Sequence, residues 1–74
     1  MTLQEKIRIL LVRRGNMSES ELARRLGILP QNLHRKMKQG NFTNADLSKI
    51  AEVLDCAVEH SEVMFTMNDT GDRI

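Results

Sequence analysis

Aromatic residues are nearly missing from this chain: Phe42 and Phe65 are the only two, with no Trp and no Tyr among 74 residues. A core built here must be filled by Leu, Ile, Val and Met, which favours helices. The same shortage argues against RNA binding, because single-stranded bases are held by stacking on aromatic side chains. Cysteine is scarce too. Cys56 stands alone, so no internal disulfide can form, and no Cys/His cluster has zinc spacing. This is the cysteine usage of a reduced, cytoplasmic protein. No apolar run approaches the ~20 residues that span a bilayer, and the opening Thr2-Leu3-Gln4-Glu5-Lys6 lacks the basic, apolar and cleavage regions of a secretory signal. No membrane partner is expected.

Catalytic chemistry is equally absent. Ser18, Ser20, Ser48 and Ser61 have no His/Asp arrangement that would activate a nucleophile, and there is no Gly-rich phosphate loop. His34 has no second metal ligand at helical spacing, and His60 lies far along the chain. Both read as surface histidines, His60 on a strand. At 74 residues the chain makes one small domain, less than a closed catalytic pocket usually needs. The expectation is a non-enzyme that uses no cofactor.

What is present is a divided charge. Residues 1–40 carry nine Lys/Arg (Lys6, Arg8, Arg13, Arg14, Arg24, Arg25, Arg35, Lys36, Lys38) against three acids, a net of +6. Residues 41–74 carry Lys49 and Arg73 against seven acids, a net of −5. Between residues 22 and 45 there is no acid at all. A cationic half backed by an acidic half suits a surface that grips a polyanion.

Helical signals fill the first three quarters. Thr2-Leu3-Gln4-Glu5 reads as a capping box, with Leu3, Ile7, Leu10, Leu11 and Arg14 behind it and Gly15 as the stop. That predicts a helix over about 3–14. Ser18-Glu19-Ser20-Glu21 reads as a second box opening a short helix, about 19–26, closed by Gly27. Pro30 starts a third helix that runs to about Lys38, with Gly40 as its stop. Thr43 caps a fourth, with Asp46 three residues on, an apolar stripe of Leu47, Ile50, Ala51 and Leu54, and an end at Asp55 and Cys56. Cys56 itself packs as a small hydrophobe, and Met17, Met37, Met64 and Met67 are core or dimer filler. Beyond Ala57 the pattern changes: Val63, Phe65 and Met67 alternate with polar neighbours, and Asn68-Asp69-Thr70-Gly71-Asp72 is a turn cluster. We read one β-strand over 58–67, with a short helix at 59–64 as the competing assignment. A lone strand leaves backbone groups unpaired, so its expected partner is the same strand of a second copy. The expected organisation is thus a helical domain over 1–56 and a C-terminal strand and tail over 57–74 for dimerisation.

The informative block is Ser18 through Gln39. Two short helices joined by a turn containing glycine make a helix-turn-helix. Ala23 is small where the helices cross, and Leu22, Leu26, Ile28 and Leu33 fill the angle between them. At about 100° per residue, Gln31, His34, Arg35 and Lys38 share one arc of the third helix, while Pro30, Leu33 and Met37 share the other side. Asn32 and Lys36 flank. An acid-free polar arc suits the major groove, where Arg grips guanine and Gln or Asn grips adenine through paired hydrogen bonds. Candidate base contacts are therefore Gln31, Asn32 and Arg35, with Leu29 against a thymine methyl. Arg24, Lys36 and Lys38, with Asn41, Thr43 and Asn44 at the start of the fourth helix, are candidate phosphate contacts.

Met17-Ser18-Glu19-Ser20-Glu21-Leu22-Ala23-Arg24-Arg25-Leu26-Gly27-Ile28 resembles the Cro/cI-like (XRE) phage-repressor helix-turn-helix pattern. Asn41-Phe42-Thr43 through Leu47, Ile50, Ala51, Leu54 and Asp55 is similar to that family's fourth helix. The resemblance covers about residues 3–56. It implies a mainly α, four-helix, lambda-repressor-like bundle that binds palindromic operator DNA as a homodimer and regulates transcription, here with the added C-terminal strand. Two positions depart from the family. Glu19 stands where Gln commonly helps to touch phosphate, and Lys36-Met37 stands where an apolar residue and Glu are more usual. Glu19 and the modest total charge keep a second reading open, a protein-interaction module that has the helix-turn-helix shape without reading DNA.

Overall fold

A computed structural model describes residues 1–74. The protein is mainly helical, with four helices and a small antiparallel sheet at its C-terminal end. It divides into two compact units, Met1–Asn41 and Phe42–Ile74. That division falls next to the change in charge sign, so one unit is basic and the other acidic.

The first unit holds α1 (Leu3–Arg13), α2 (Glu19–Leu26) and α3 (Pro30–Gln39). The capping box opens α1 as the sequence predicts: Thr2 Oγ1 accepts from the Glu5 amide at 3.2 Å, and Glu5 Oε1 accepts from the Thr2 amide at 2.8 Å. Ile7, Leu10 and Leu11 are its buried face, the i, i+3, i+4 spacing of a helix packed on one side. Gly15 takes a left-handed φ of 78°, as predicted, and Asn16 follows it at 57°. The box predicted for α2 forms only by half. Ser18 accepts from the Glu21 amide at 3.0 Å, but the Glu21 carboxylate turns toward Arg24 and Arg25 instead of back to the cap. Two guanidiniums outcompete one neutral amide for a carboxylate.

The second unit holds α4 (Asn44–Val53), β1 (Cys56–Glu59) and β2 (Met64–Met67). Thr43 and Asp46 make a complete capping box. Leu54 closes α4, and Asp55 at φ 55° turns the chain into β1. Leu47, Ile50, Ala51, Leu54, Cys56, Phe65 and Met67 are buried. Cys56 behaves as the predicted small hydrophobe, its thiol donating to the Leu54 carbonyl at 3.4 Å.

The single strand expected over 58–67 is a hairpin. β1 and β2 pair antiparallel, with Cys56 opposite Met67 and Val58 opposite Phe65. Residues 60–63 form the turn, and neither the long strand nor the competing helix at 59–64 is present. The reversal uses no glycine or proline. Glu59 Oε1 accepts from both the amide and the hydroxyl of Ser61, and Val63 takes a left-handed φ of 49°, a strained conformation for a β-branched residue. On its other side β2 receives residues 72–74: Phe65 and Ile74 exchange hydrogen bonds at 2.9 and 2.8 Å, and the Met67 amide donates to Asp72 at 2.8 Å. The predicted turn at residues 68–72 makes this return, with the Gly71 amide bonded to the Met67 carbonyl at 2.8 Å. β2 is therefore the middle strand, and its backbone is satisfied within one chain. His60 lies in the turn rather than on a strand, half-buried, with Nε2 3.1 Å from Ser48 Oγ on α4.

Candidate nucleic-acid interface

The α2–turn–α3 geometry follows from two glycines and a proline. Gly27 caps α2 in the left-handed conformation at φ 74°. Its amide donates to Arg24 and the Ile28 amide to Ala23, the paired bonds that close a helix and reverse the chain sharply. Leu29 is the N-cap residue of α3, and Pro30 fills its first turn. Gly40 ends α3 at φ 66°. α2 packs against α3, with Leu22 and Ala23 on one side and Leu33 and Met37 on the other all buried.

That packing fixes which side of α3 faces outward. Gln31, His34, Arg35 and Lys38 are exposed, as predicted, while Asn32 and Lys36 are half-buried at the flanks. Pro30 departs from the helical-wheel reading: it is exposed and lines a recess with Glu19, Ser20, Gln31 and His34. It belongs to the first turn, before α3 settles onto α2. Leu29 is 57% exposed, and an apolar side chain left open beside a polar helix start is available to a thymine methyl. It contributes no side-chain hydrogen bond to the helix start, and the first turn of α3 carries no acidic residue of its own.

The candidate contacts are not all equally available. Asn32 Oδ1 accepts from Arg35 Nη2 at 3.3 Å, which joins two of the expected base readers. Arg24 is exposed but engaged: Glu21 takes its Nε at 3.1 Å and also pairs with its terminal nitrogen. Glu21 accepts from Arg25 as well at 2.8 Å. The hydrogen bonds from Arg24 and then Arg25 hold the Glu21 carboxyl down at about 2, and Arg24 is shifted upward by the same carboxylate. Asn41 is exposed just after the end of α3. In the second unit Asn44 opens α4 and is exposed. Thr43 is exposed too, but its hydroxyl and amide are both used in the capping box with Asp46.

A match over most of the chain decides the family. The sequence profile of the Cro/C1-type HTH DNA-binding domain matches residues 6–59. The chain belongs to that family. Among curated proteins and among solved structures, none matches it. Membership makes the chain a DNA-binding domain. The match includes the whole helix-turn-helix and β1 but ends before β2.

One feature of this Cro/C1-type domain was not legible from spacing along a helix. Glu19, at the first position of α2, stands with Oε1 3.9 Å from Nδ1 of His34 on α3. That oxygen is shielded from solvent and has no hydrogen-bond partner. The two residues are fifteen apart in sequence, so no i, i+4 rule links them. Only the crossing of α2 and α3 brings them together. No group of three or more His, Cys, Asp or Glu side chains is placed to hold a metal ion, and no helix is long and apolar enough to cross a membrane.

Proposed function

We propose that this DNA-binding domain is a cytoplasmic transcriptional repressor that acts by occupying a palindromic operator as a two-fold dimer. The observation that carries the reading is the exposed side of α3. It offers Gln31, His34, Arg35 and Lys38 without an acid, while Leu33 and Met37 hold the opposite side in the interior. In this reading Gln31, Asn32 and Arg35 meet base edges, and Leu29 meets a thymine methyl. Lys36, Lys38, Asn41 and Asn44 meet phosphates, joined by Arg24 through donors that Glu21 leaves over and by Thr43 through its position at the α4 start. Two recognition helices about 34 Å apart would enter successive major grooves.

The dimer contact in this proposal lies in residues 57–74, along the outer edge of β1. Hydrogen bonds alternate along an antiparallel strand. Phe65 and Met67 bond toward residues 72–74, so Thr66 and Met64 bond toward Ala57 and Glu59, and the backbone of Val58 is directed away from β2. Pairing of two such edges would extend the sheet across the two-fold axis.

Selection from random-sequence duplex DNA at two salt concentrations tests the proposal. A palindromic motif with steep salt dependence is expected. Weak binding with no enriched motif would overturn it. A second reading, a module that binds protein instead, is favoured by one observation: Glu19 and Glu21 place two carboxylates on α2, and Glu21 draws in both Arg24 and Arg25. The double variant Arg35→Ala/Lys38→Ala separates the two readings, because it abolishes DNA binding and leaves a protein contact intact.

A further inference from the structure

We infer that His34 is a further DNA-contacting residue, that Glu19 is its positioning partner, and that the contact forms with the imidazole doubly protonated, so that DNA binding takes up a proton. The inference rests on the docking geometry proposed above. It begins from Glu19 Oε1, a carboxylate oxygen closed off from solvent with no hydrogen-bond partner. Such an oxygen is costly to leave unpaired, and His34 Nδ1 stands 3.9 Å away, one small side-chain rotation from a hydrogen bond. The ring itself is 74% exposed at its side chain and stands on the solvent-facing side of α3 between Gln31 and Arg35.

Imidazole has two nitrogens, and its neutral form carries one proton between them. A neutral His34 can therefore donate to Glu19 or to the duplex, but not to both. Only the imidazolium donates in both directions at once, with Nδ1–H to the Glu19 carboxylate and Nε2–H to a DNA acceptor. His34 lines a recess together with Glu19, Ser20, Pro30 and Gln31, so Glu19 is the charged group that α2 brings to it. On α3 itself, Arg35 and Lys38 oppose a further positive charge. The phosphates of a bound duplex outweigh them and act in the same sense as Glu19. The acceptor is a phosphate oxygen or the N7/O6 edge of a guanine, which share the same hydrogen-bonding chemistry.

The inference also explains why an acid is tolerated beside a DNA-reading helix. Glu19 alone would repel the backbone. Paired with an imidazolium, it becomes the inner half of a neutral unit whose outer half donates.

The test measures affinity for the duplex recovered by selection, from about pH 5.5 to about pH 8, where imidazole changes charge. Wild type, His34→Gln, Glu19→Gln and His60→Gln are compared, with helical circular dichroism confirming that each is folded. Wild-type affinity should fall as pH rises, by at most about tenfold per pH unit, the limit for one proton. His34→Gln should lose most of that slope, and His60→Gln should keep it. Glu19→Gln should flatten the slope and bind several-fold tighter than wild type near pH 8. Equal weakening of all sequences by His34→Gln assigns the acceptor to a phosphate, and relaxation at one base step assigns it to a guanine. A wild-type slope that survives in His34→Gln overturns the inference while the docking stands. Failure of wild type to select any motif removes the docking itself.

Discussion

Arg35 leans back one turn of α3 and donates a hydrogen bond from Nη2 to Oδ1 of Asn32 at 3.3 Å. The bond uses one guanidinium nitrogen and the Asn32 carbonyl oxygen, so it consumes none of the Asn32 amide hydrogens, and it limits the rotamers of a long side chain before any duplex arrives. Preorganisation of this kind lowers the entropy cost of binding. Arg35→Ala should weaken operator binding by about 1–3 kcal/mol, roughly 5- to 150-fold, and relax specificity at one base step. Arg35→Lys should recover little of this, because Lys lacks the planar fork. Anisotropy titrations against matched and single-mismatch duplexes check both.

Lys38 makes the contrasting case. It is exposed near the C-terminal end of α3 and is a candidate for phosphate rather than base. Lys38→Ala should weaken all sequences alike and reduce the slope of log affinity against log salt by about one. A sequence-selective loss would reassign it to a base.

Gly27 and Gly40 end α2 and α3 with positive φ, but their surroundings differ. A Cβ at Gly27 would meet nothing within 4 Å, whereas at Gly40 it would meet the Gln4 amide at 3.2 Å. Gly27→Ala should therefore cost only the backbone term, about 1 kcal/mol. For a chain of this size that is a fall in Tm of about 4–8 °C. Gly40→Ala should fall further, and Gly40→Ala/Gln4→Ala should recover the difference. Thermal unfolding followed by circular dichroism reads all three.

Glu21 gives the acid limb of stability a particular shape. Its folded value is about 2 against 4.5 for the free side chain, held there by hydrogen bonds from Arg24 and then Arg25. A lowered carboxylate adds stability that is present above 4.5 and is lost as pH falls through about 2. Glu21→Gln should flatten the decline of Tm across that window, and added salt should shrink the difference because the groups are exposed. Tm against pH for the two proteins, at low and high salt, is the measurement.

The middle position of β2 predicts a pattern of amide exchange. Phe65 and Met67 donate to Ile74 and Asp72, so their amides should be protected in the full chain. Both should exchange rapidly when the chain is stopped at Gly71, while Thr66, on the β1 side, keeps its protection. Loss at all three positions would mean that the hairpin itself had opened. Phe65→Ala, which empties a fully buried site, should open it at a cost of about 3–5 kcal/mol.

The helices were legible because each carries its own start and stop. Thr2, Ser18, Pro30 and Thr43 mark the beginnings, and Gly15, Gly27 and Gly40 mark three of the ends. Each of these residues acts within a few positions of itself, which is the range that sequence spacing can report. The side of α3 that faces out was legible for the same reason, since Leu33 and Met37 are spaced to be buried together. The hairpin was not legible, because its turn is built from a Glu59–Ser61 hydrogen-bonded loop and a valine in a conformation that valine rarely adopts. No local residue type announces it. The competition for Glu21 was also missed: a capping box and an ion pair are both written with the same glutamate, and only the positions of Arg24 and Arg25 decide between them. The Glu19–His34 pair depends on how two helices cross, which no linear pattern carries.

The split between the two sides of α3 has a consequence for inheritance. The residues that hold the helix in place, Leu33 and Met37, are buried and are not among the exposed ones. In the proposed docking, a mutation at Gln31 or Arg35 changes what is read without opening a cavity. A lineage of such proteins can therefore drift from one operator to another by single exposed substitutions, each passing through a folded intermediate. The limit on that drift lies at Asn32, half-buried and bonded to Arg35, where a change of reader is also a change of support.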